Sequence, residues 1–162
     1  QANVIASVLA ERLRGSYKML HLPDGLSQDS LHMLMTCEPQ IKEIGDLISR
    51  TDVLLFGIGT AMRMADQRHI ADDVRKQLVD NHAVGEALGQ YCDIEGKLIY
   101  STNNIGLSLP DVVKVPNVIA VAGGQEKASA IIGVMRACQK GILIIDEQAA
   151  EGMRQLLQIS AL

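Results

Sequence analysis

The stretch Val118-Ile-Ala-Val-Ala-Gly-Gly-Gln-Glu-Lys127 constrains the fold of this chain more than any other. Residues 119–122 are apolar and β-branched enough for a short buried parallel strand, which breaks at Gly123 and Gly124. Two glycines let the backbone turn tightly and approach a ligand with no Cβ in the way. Residues 126–137 are good helix formers, so the free N–H groups and positive dipole end of that helix would face any anion resting on the glycines. Lys127 supplies a full positive charge in the first turn. The same strand, glycine pair and helix also occur wherever a helix packs closely on a sheet. The spacing is neither Gly-x-x-x-x-Gly-Lys-Ser/Thr nor Gly-x-Gly-x-x-Gly, which places nucleotide binding below simple phosphate binding.

Around this stretch the pattern alternates between helix and strand. Residues 2–13 are helical in pattern, and residues 17–22 are strand-like, ending at the turn signal Pro23-Asp24-Gly25. Ser27 is placed to cap a helix through residue 35, and Pro39 opens another through residue 49. Residues 53–56 form a buried strand that breaks at Gly57-Ile58-Gly59, with a short helix from Thr60. Residues 72–78 are helical and residues 80–83 a turn. Residues 90–93 and 97–101 flank Ile94-Glu95-Gly96 as a hairpin. A strand over 117–122, a helix over 126–137, a strand over 142–145 and a helix over 147–158 complete the order. Strands alternating with helices predict a Rossmann-like α/β fold, a mostly parallel sheet with helices on both faces and one β-hairpin.

Ligands on such sheets bind beyond the carboxyl ends of the strands. Three anchor points fall there: Gly57-Ile58-Gly59, Gly123-Gly124 with Lys127, and Asp146-Glu147 after the last strand. For the first, a strand-to-helix turn needing positive φ is a competing explanation. For Asp146, an N-cap of the last helix is the better reading.

Composition narrows the function. The 162 residues, 48% of them hydrophobic, suffice for one domain with a real core over 1–162. No apolar run approaches the ~20 residues that cross a bilayer, and no basic, apolar leader opens the chain, so the expectation is a cytoplasmic protein. Cys37, Cys92 and Cys138 are far apart and odd in number, which fits reduced thiols. His21, His32, His69 and His82 share no metal spacing, and neither a metal nor a cofactor is expected. A net charge of -4, no Lys/Arg cluster, one Phe, three Tyr and no Trp make a poor nucleic-acid binder.

The runs Phe56-Gly-Ile-Gly-Thr-Ala, Ala83-Val-Gly-Glu-Ala-Leu-Gly, Tyr91-Cys-Asp-Ile-Glu-Gly-Lys, Pro116-Asn-Val-Ile-Ala-Val-Ala-Gly-Gly-Gln-Glu-Lys-Ala-Ser-Ala-Ile and Ile145-Asp-Glu-Gln-Ala-Ala carry a family resemblance. In order and spacing the whole chain resembles the effector-binding domain of SorC-type bacterial transcriptional regulators, most of all those that govern glycolytic genes. The resemblance implies a fold similar to glucosamine-phosphate deaminases, ribose-phosphate isomerases and CoA transferases. It implies a repressor that responds to fructose-1,6-bisphosphate, assembles as dimers and tetramers, and meets operator DNA only through an N-terminal helix-turn-helix domain outside this sequence. By the same resemblance the first βα unit, with a Gly-Gly-Thr phosphate loop, is expected before Gln1.

Carried over residue by residue, Gln1 matches a position near the sugar phosphate, and Gly57, Gly59, Gly123 and Gly124 line the two turns. Arg68 matches a basic position after the first turn, with Gln67 as the alternative alignment. Glu86 matches an acidic residue that accepts hydrogen bonds from sugar hydroxyls, and Lys127 a lysine that pairs with phosphate. The residues themselves leave alternatives. Arg68 sits in a polar stretch where a side chain can simply be solvated. Glu86, among Val84, Ala87 and Leu88, needs either a ligand or a structural base. Lys127 sits against the positive end of its own helix, which favours an anion nearby. Two classes of function follow: an allosteric sugar-phosphate sensor, or a phosphosugar isomerase or deaminase of the related fold. Deaminases follow their Gly-Ile-Gly turn with an Asp and a Gly-His pair, whereas Thr60-Ala-Met-Arg63 stands here with no catalytic dyad. Binding without turnover is the expectation.

Overall fold

The computed structural model of the chain describes residues 2–22 and 25–158. Gln1, with its expected ligand role, and Pro23 and Asp24 of the expected turn lie outside the described residues. The chain divides into two compact units, residues 1–50 and 51–162.

The first unit is helical: α1 (Ala2–Leu13), α2 (Gln28–Cys37) and α3 (Pro39–Ser49). The Ser27 side chain accepts the Ser30 N–H at 3.1 Å, so the expected cap forms. Pro39 opens α3, where its missing N–H costs nothing. The strand expected over 17–22 is corrected: these residues have no regular structure. Among the described residues this unit contains no strand to pair with them, and a solitary strand is not stable. Their link to α1 is a side-chain bond, Asn3 Nδ2 donating to the Leu20 carbonyl at 3.4 Å.

The second unit is mixed α/β. Its elements are β1 (Val53–Gly57), β2 (Gly59–Thr60), α4 (Ala61–Gln67), α5 (Asp72–Asp80), β3 (Gly85–Ala87), β4 (Gln90–Cys92), β5 (Leu98–Ser101), β6 (Asn117–Ala122), α6 (Ala128–Cys138), β7 (Ile142–Ile145) and α7 (Glu147–Leu156). Short 3-10 helices span Pro110–Lys114 and Gln125–Lys127. A parallel sheet runs in the order β1-β6-β7, with Gly57 opposite Val121 and Ala122 opposite Ile145. A second, antiparallel sheet runs β2-β3-β4-β5. The expected hairpin is present as β4 and β5, and it is continued by β3 and β2 into a larger sheet.

The core explains the sheet's polarity. Phe56, Val118, Ala120 and Ala122 share one buried cluster with Ala130, Ile131 and Val134 of α6 and Ala149 of α7. Those strand residues, and Leu143 and Ile145 of β7 packed against the same cluster, alternate with Val53, Leu55, Val121, Ile142 and Ile144, which are exposed. In this unit α6 and α7 pack on one face of the parallel sheet, and the exposed apolar residues lie on its other face.

Candidate functional site

The carboxyl edge of the parallel sheet sets the site. Because Gly57 pairs with Val121 and Ala122 with Ile145, the turns after β1, β6 and β7 lie side by side. The three anchor points expected from the sequence are therefore neighbours.

The first turn crosses from one sheet to the other. Ile58 donates its N–H to the Val121 carbonyl at 3.2 Å, and Gly59 then pairs with Glu86 on β3. Neither Gly57 nor Gly59 has a positive φ, so the backbone-strain explanation for this pair is set aside. Gly59 is small for another reason: a Cβ there would collide with the Met64 side chain. Strand β3 is drawn against α6 in the same way, since a Cβ on Gly85 would lie 2.8 Å from the Ala130 carbonyl oxygen. Ala130 is one turn beyond Lys127, and β2 packs on the 3-10 turn that carries Lys127. Glu86, on β3, and the turn that carries Lys127 thus both neighbour β2.

Glu86 is 3% exposed and its carboxylate is not left alone. Arg68, at the C-terminal end of α4, donates through Nη2 to Glu86 Oε1 at 3.2 Å. The Gly89 N–H donates to the same oxygen at 2.7 Å. Gly89 reaches it because Leu88 and Gly89, at φ 54° and 78°, form a tight two-residue turn between β3 and β4. Asn104 Nδ2 holds the Leu88 carbonyl at 3.0 Å, and Thr102 Oγ1 holds that of Gly89 at 2.9 Å. Burial pushes the Glu86 carboxyl above its ordinary range, and the Arg68 charge and the Gly89 N–H pull it back only in part. Arg68 Nε is buried without a hydrogen-bond acceptor among the described residues. A buried N–H donor in that condition is rare.

The second turn is built as the sequence predicts. Gly124 adopts φ 97°, a value that favours glycine, and the Lys127 N–H closes the turn on the Gly124 carbonyl at 3.1 Å. The half-buried Lys127 sits one residue before α6. The third anchor point has two tasks. Asp146 caps α7 by accepting the Ala149 N–H at 2.8 Å, and it also accepts the Gly124 N–H at 2.9 Å on Oδ2 and 3.1 Å on Oδ1. The N–H groups of Ala149 and Gly124 hold its carboxyl below the usual range, and the Lys127 charge adds to this.

The structure brings Gly59, Arg68, Glu86, Gly123, Gly124 and Lys127 to one edge, with Gly57 ending the strand beside them. Glu86 takes the structural base that its apolar neighbours demanded, and that base is Arg68. The sequence reading missed the grip of Asp146 on Gly124 and the Leu88-Gly89 turn. The second had a signal, Gly89 itself, the residue type that takes positive φ in a tight turn; the first had none, because residues 124 and 146 meet only through sheet register.

Comparison with known proteins identifies the family. A family model describing a sugar-binding domain, Sugar-bind, matches residues 1–155. The central glycolytic genes regulator of Bacillus subtilis is 36% identical over 151 residues, which cover 93% of this chain and 44% of the relative. Its counterpart in Priestia megaterium is 38% identical with the same coverage. The crystal structure of a SorC family transcriptional regulator from Enterococcus faecalis superposes with a TM-score of 0.85 at 39% identity, over 94% of this chain and 62% of that one. The chain spans less than half the length of these curated relatives. On the extent of the family match, the chain belongs to the sugar-binding domain family, with SorC family transcriptional regulators as its structural neighbours.

Proposed function

We propose that this chain is the effector-sensing part of a transcriptional regulator, a repressor of glycolytic genes, and that it binds a phosphorylated sugar such as fructose-1,6-bisphosphate. The observation that carries the reading is the Glu86–Arg68 pair, buried at Glu86 and partly exposed at Arg68, set beside the glycine turn and Lys127. A phosphorylated polyol needs both halves. Hydroxyls meet the carboxylate and guanidinium, and a phosphate meets the lysine and the N–H groups at the start of α6. The arrangement positions and neutralises charge but places no base against a nucleophile, so the proposed action is binding without turnover.

Ligand binding can alter DNA affinity only if two arrangements of the protein differ in affinity for the ligand. The proposed readout is the oligomeric state, dimer or tetramer, of a cytoplasmic regulator whose DNA contacts lie in another domain. Titration calorimetry of the full-length protein with a panel of glycolytic phosphosugars tests this. Tight binding of fructose-1,6-bisphosphate with no release of ammonia and no ketose–aldose exchange is expected, and catalytic turnover would place the chain among the enzymes of the related fold.

A further inference from the structure

We propose that Asp146 is a built-in competitor of the effector's phosphate: its carboxylate holds the Gly124 N–H that an anion on the glycine turn needs, which sets a minimum charge for an entering ligand. This rests on the sugar-phosphate reading above and adds a selectivity determinant to it.

The geometry is that of an anion already seated. Both Asp146 oxygens face the Gly124 N–H, at 2.9 and 3.1 Å, at the start of a helix where a phosphate would present a similar pair of oxygens. Gly123 makes room for it, since a Cβ there would lie 2.7 Å from Asp146 Oδ2. The Glu126 carboxylate folds over the next glycine, and a Cβ on Gly124 would lie 2.6 Å from Glu126 Oε1. The backbone exposed by the two glycines is thus covered by the chain's own carboxylates. Asp146 also keeps a second donor, the Ala149 N–H, so it can release Gly124 without uncapping α7. Exchange favours a ligand that brings more charge to Lys127 and Gly124 than one carboxylate does. A phosphate dianion qualifies; a neutral sugar or a simple carboxylate gains nothing by it. Selectivity built from a repulsive group is the general counterpart of selectivity built from contacts.

The test uses the full-length protein with Asp146→Asn and Asp146→Ser, both of which retain a side-chain acceptor for the α7 cap. Fructose-1,6-bisphosphate and inorganic phosphate are expected to bind about five- to tenfold more tightly to both variants, the scale of one screened like-charge contact. Unphosphorylated fructose should show no change. Phosphate affinity equal to or below wild type would make Asp146 a scaffold of the turn and overturn the proposal. The wild-type protein gives a second readout, independent of folding in the variants. Its Gly124 amide resonance should shift on adding fructose-1,6-bisphosphate, as the hydrogen bond passes from carboxylate to phosphate, and an unmoved resonance overturns the proposal as well. Lys127→Ala reads the underlying assignment separately: unchanged affinity there removes the phosphate from this turn whatever Asp146 does.

Discussion

Glu86 is held where a charge is costly, and this makes stability and binding separable at one residue. Its carboxyl titrates above the unfolded value of 4.5 because burial outweighs Arg68 and Gly89. The stability it contributes as a neutral group is therefore full below that value and is lost as pH rises through the folded pKa. Glu86→Gln keeps the shape and the Gly89 contact at every pH. Arg68, with its side chain 29% exposed, can turn to water when its counter-ion is removed. The expected melting temperature of Glu86→Gln is at or above wild type at neutral pH, with the gap closing toward pH 4.5. Effector affinity should fall by about 1–3 kcal/mol in the same variant, the range for hydrogen bonds to charged groups. A melting temperature well below wild type would show the ion pair to be net stabilising. Lys127→Ala should cost about 2–5 kcal/mol of effector affinity with little change in circular dichroism. The thiols give a third check. Burial pushes Cys92 up to about 12 and Cys138 to about 11, whereas Cys37 is exposed. A colorimetric thiol reagent should modify Cys37 quickly and the other two only on unfolding. The sequence shows that Glu86 needs a partner, because three apolar neighbours say so. It does not show that Arg68 is that partner, since they stand 18 positions apart with helix α5 between them.

At the scale of elements, local signals succeeded where a segment carries its own cause. Ser27, Pro39 and Asp146 mark helix starts by their chemistry, and each stands at its expected place. Residues 17–22 failed because strand character depends on a neighbour that the pattern cannot supply. Strands β2 and β3 were invisible for a related reason: two and three residues are too short to display a period. Their place is fixed by packing against α6, and Gly85 is the point of contact. Gly85→Ala would drive a Cβ to 2.8 Å from the Ala130 carbonyl oxygen and 3.1 Å from a Val134 methyl. The expected cost is about 1–3 kcal/mol in urea unfolding, the scale of overpacking in a rigid core. Because β3 carries Glu86 and α6 follows Lys127, effector affinity should fall with stability. An unchanged unfolding midpoint would mean that β3 is free to move away from α6.

For the molecule as a whole, the charge balance and the open sheet face govern behaviour. At a net charge of -4 and with no basic cluster, this chain alone should not retard labelled operator DNA at physiological salt, with or without fructose-1,6-bisphosphate. A salt-sensitive, sequence-specific shift would place DNA contacts within these residues. The family and the α/β class were legible in the sequence because five ordered motifs carry them. The open face was not, since the strand pattern of apolar residues on both sides predicts cover without saying where it comes from. Val53, Leu55, Val121, Ile142 and Ile144 give that face a thermal signature. Covering apolar surface lowers heat capacity, whereas seating a sugar phosphate on polar groups barely does so. The temperature slope of the effector-binding enthalpy therefore distinguishes two events that look alike at one temperature: a shallow slope belongs to a ligand filling its site, and a steep negative slope to a protein that closes this sheet face as the ligand arrives.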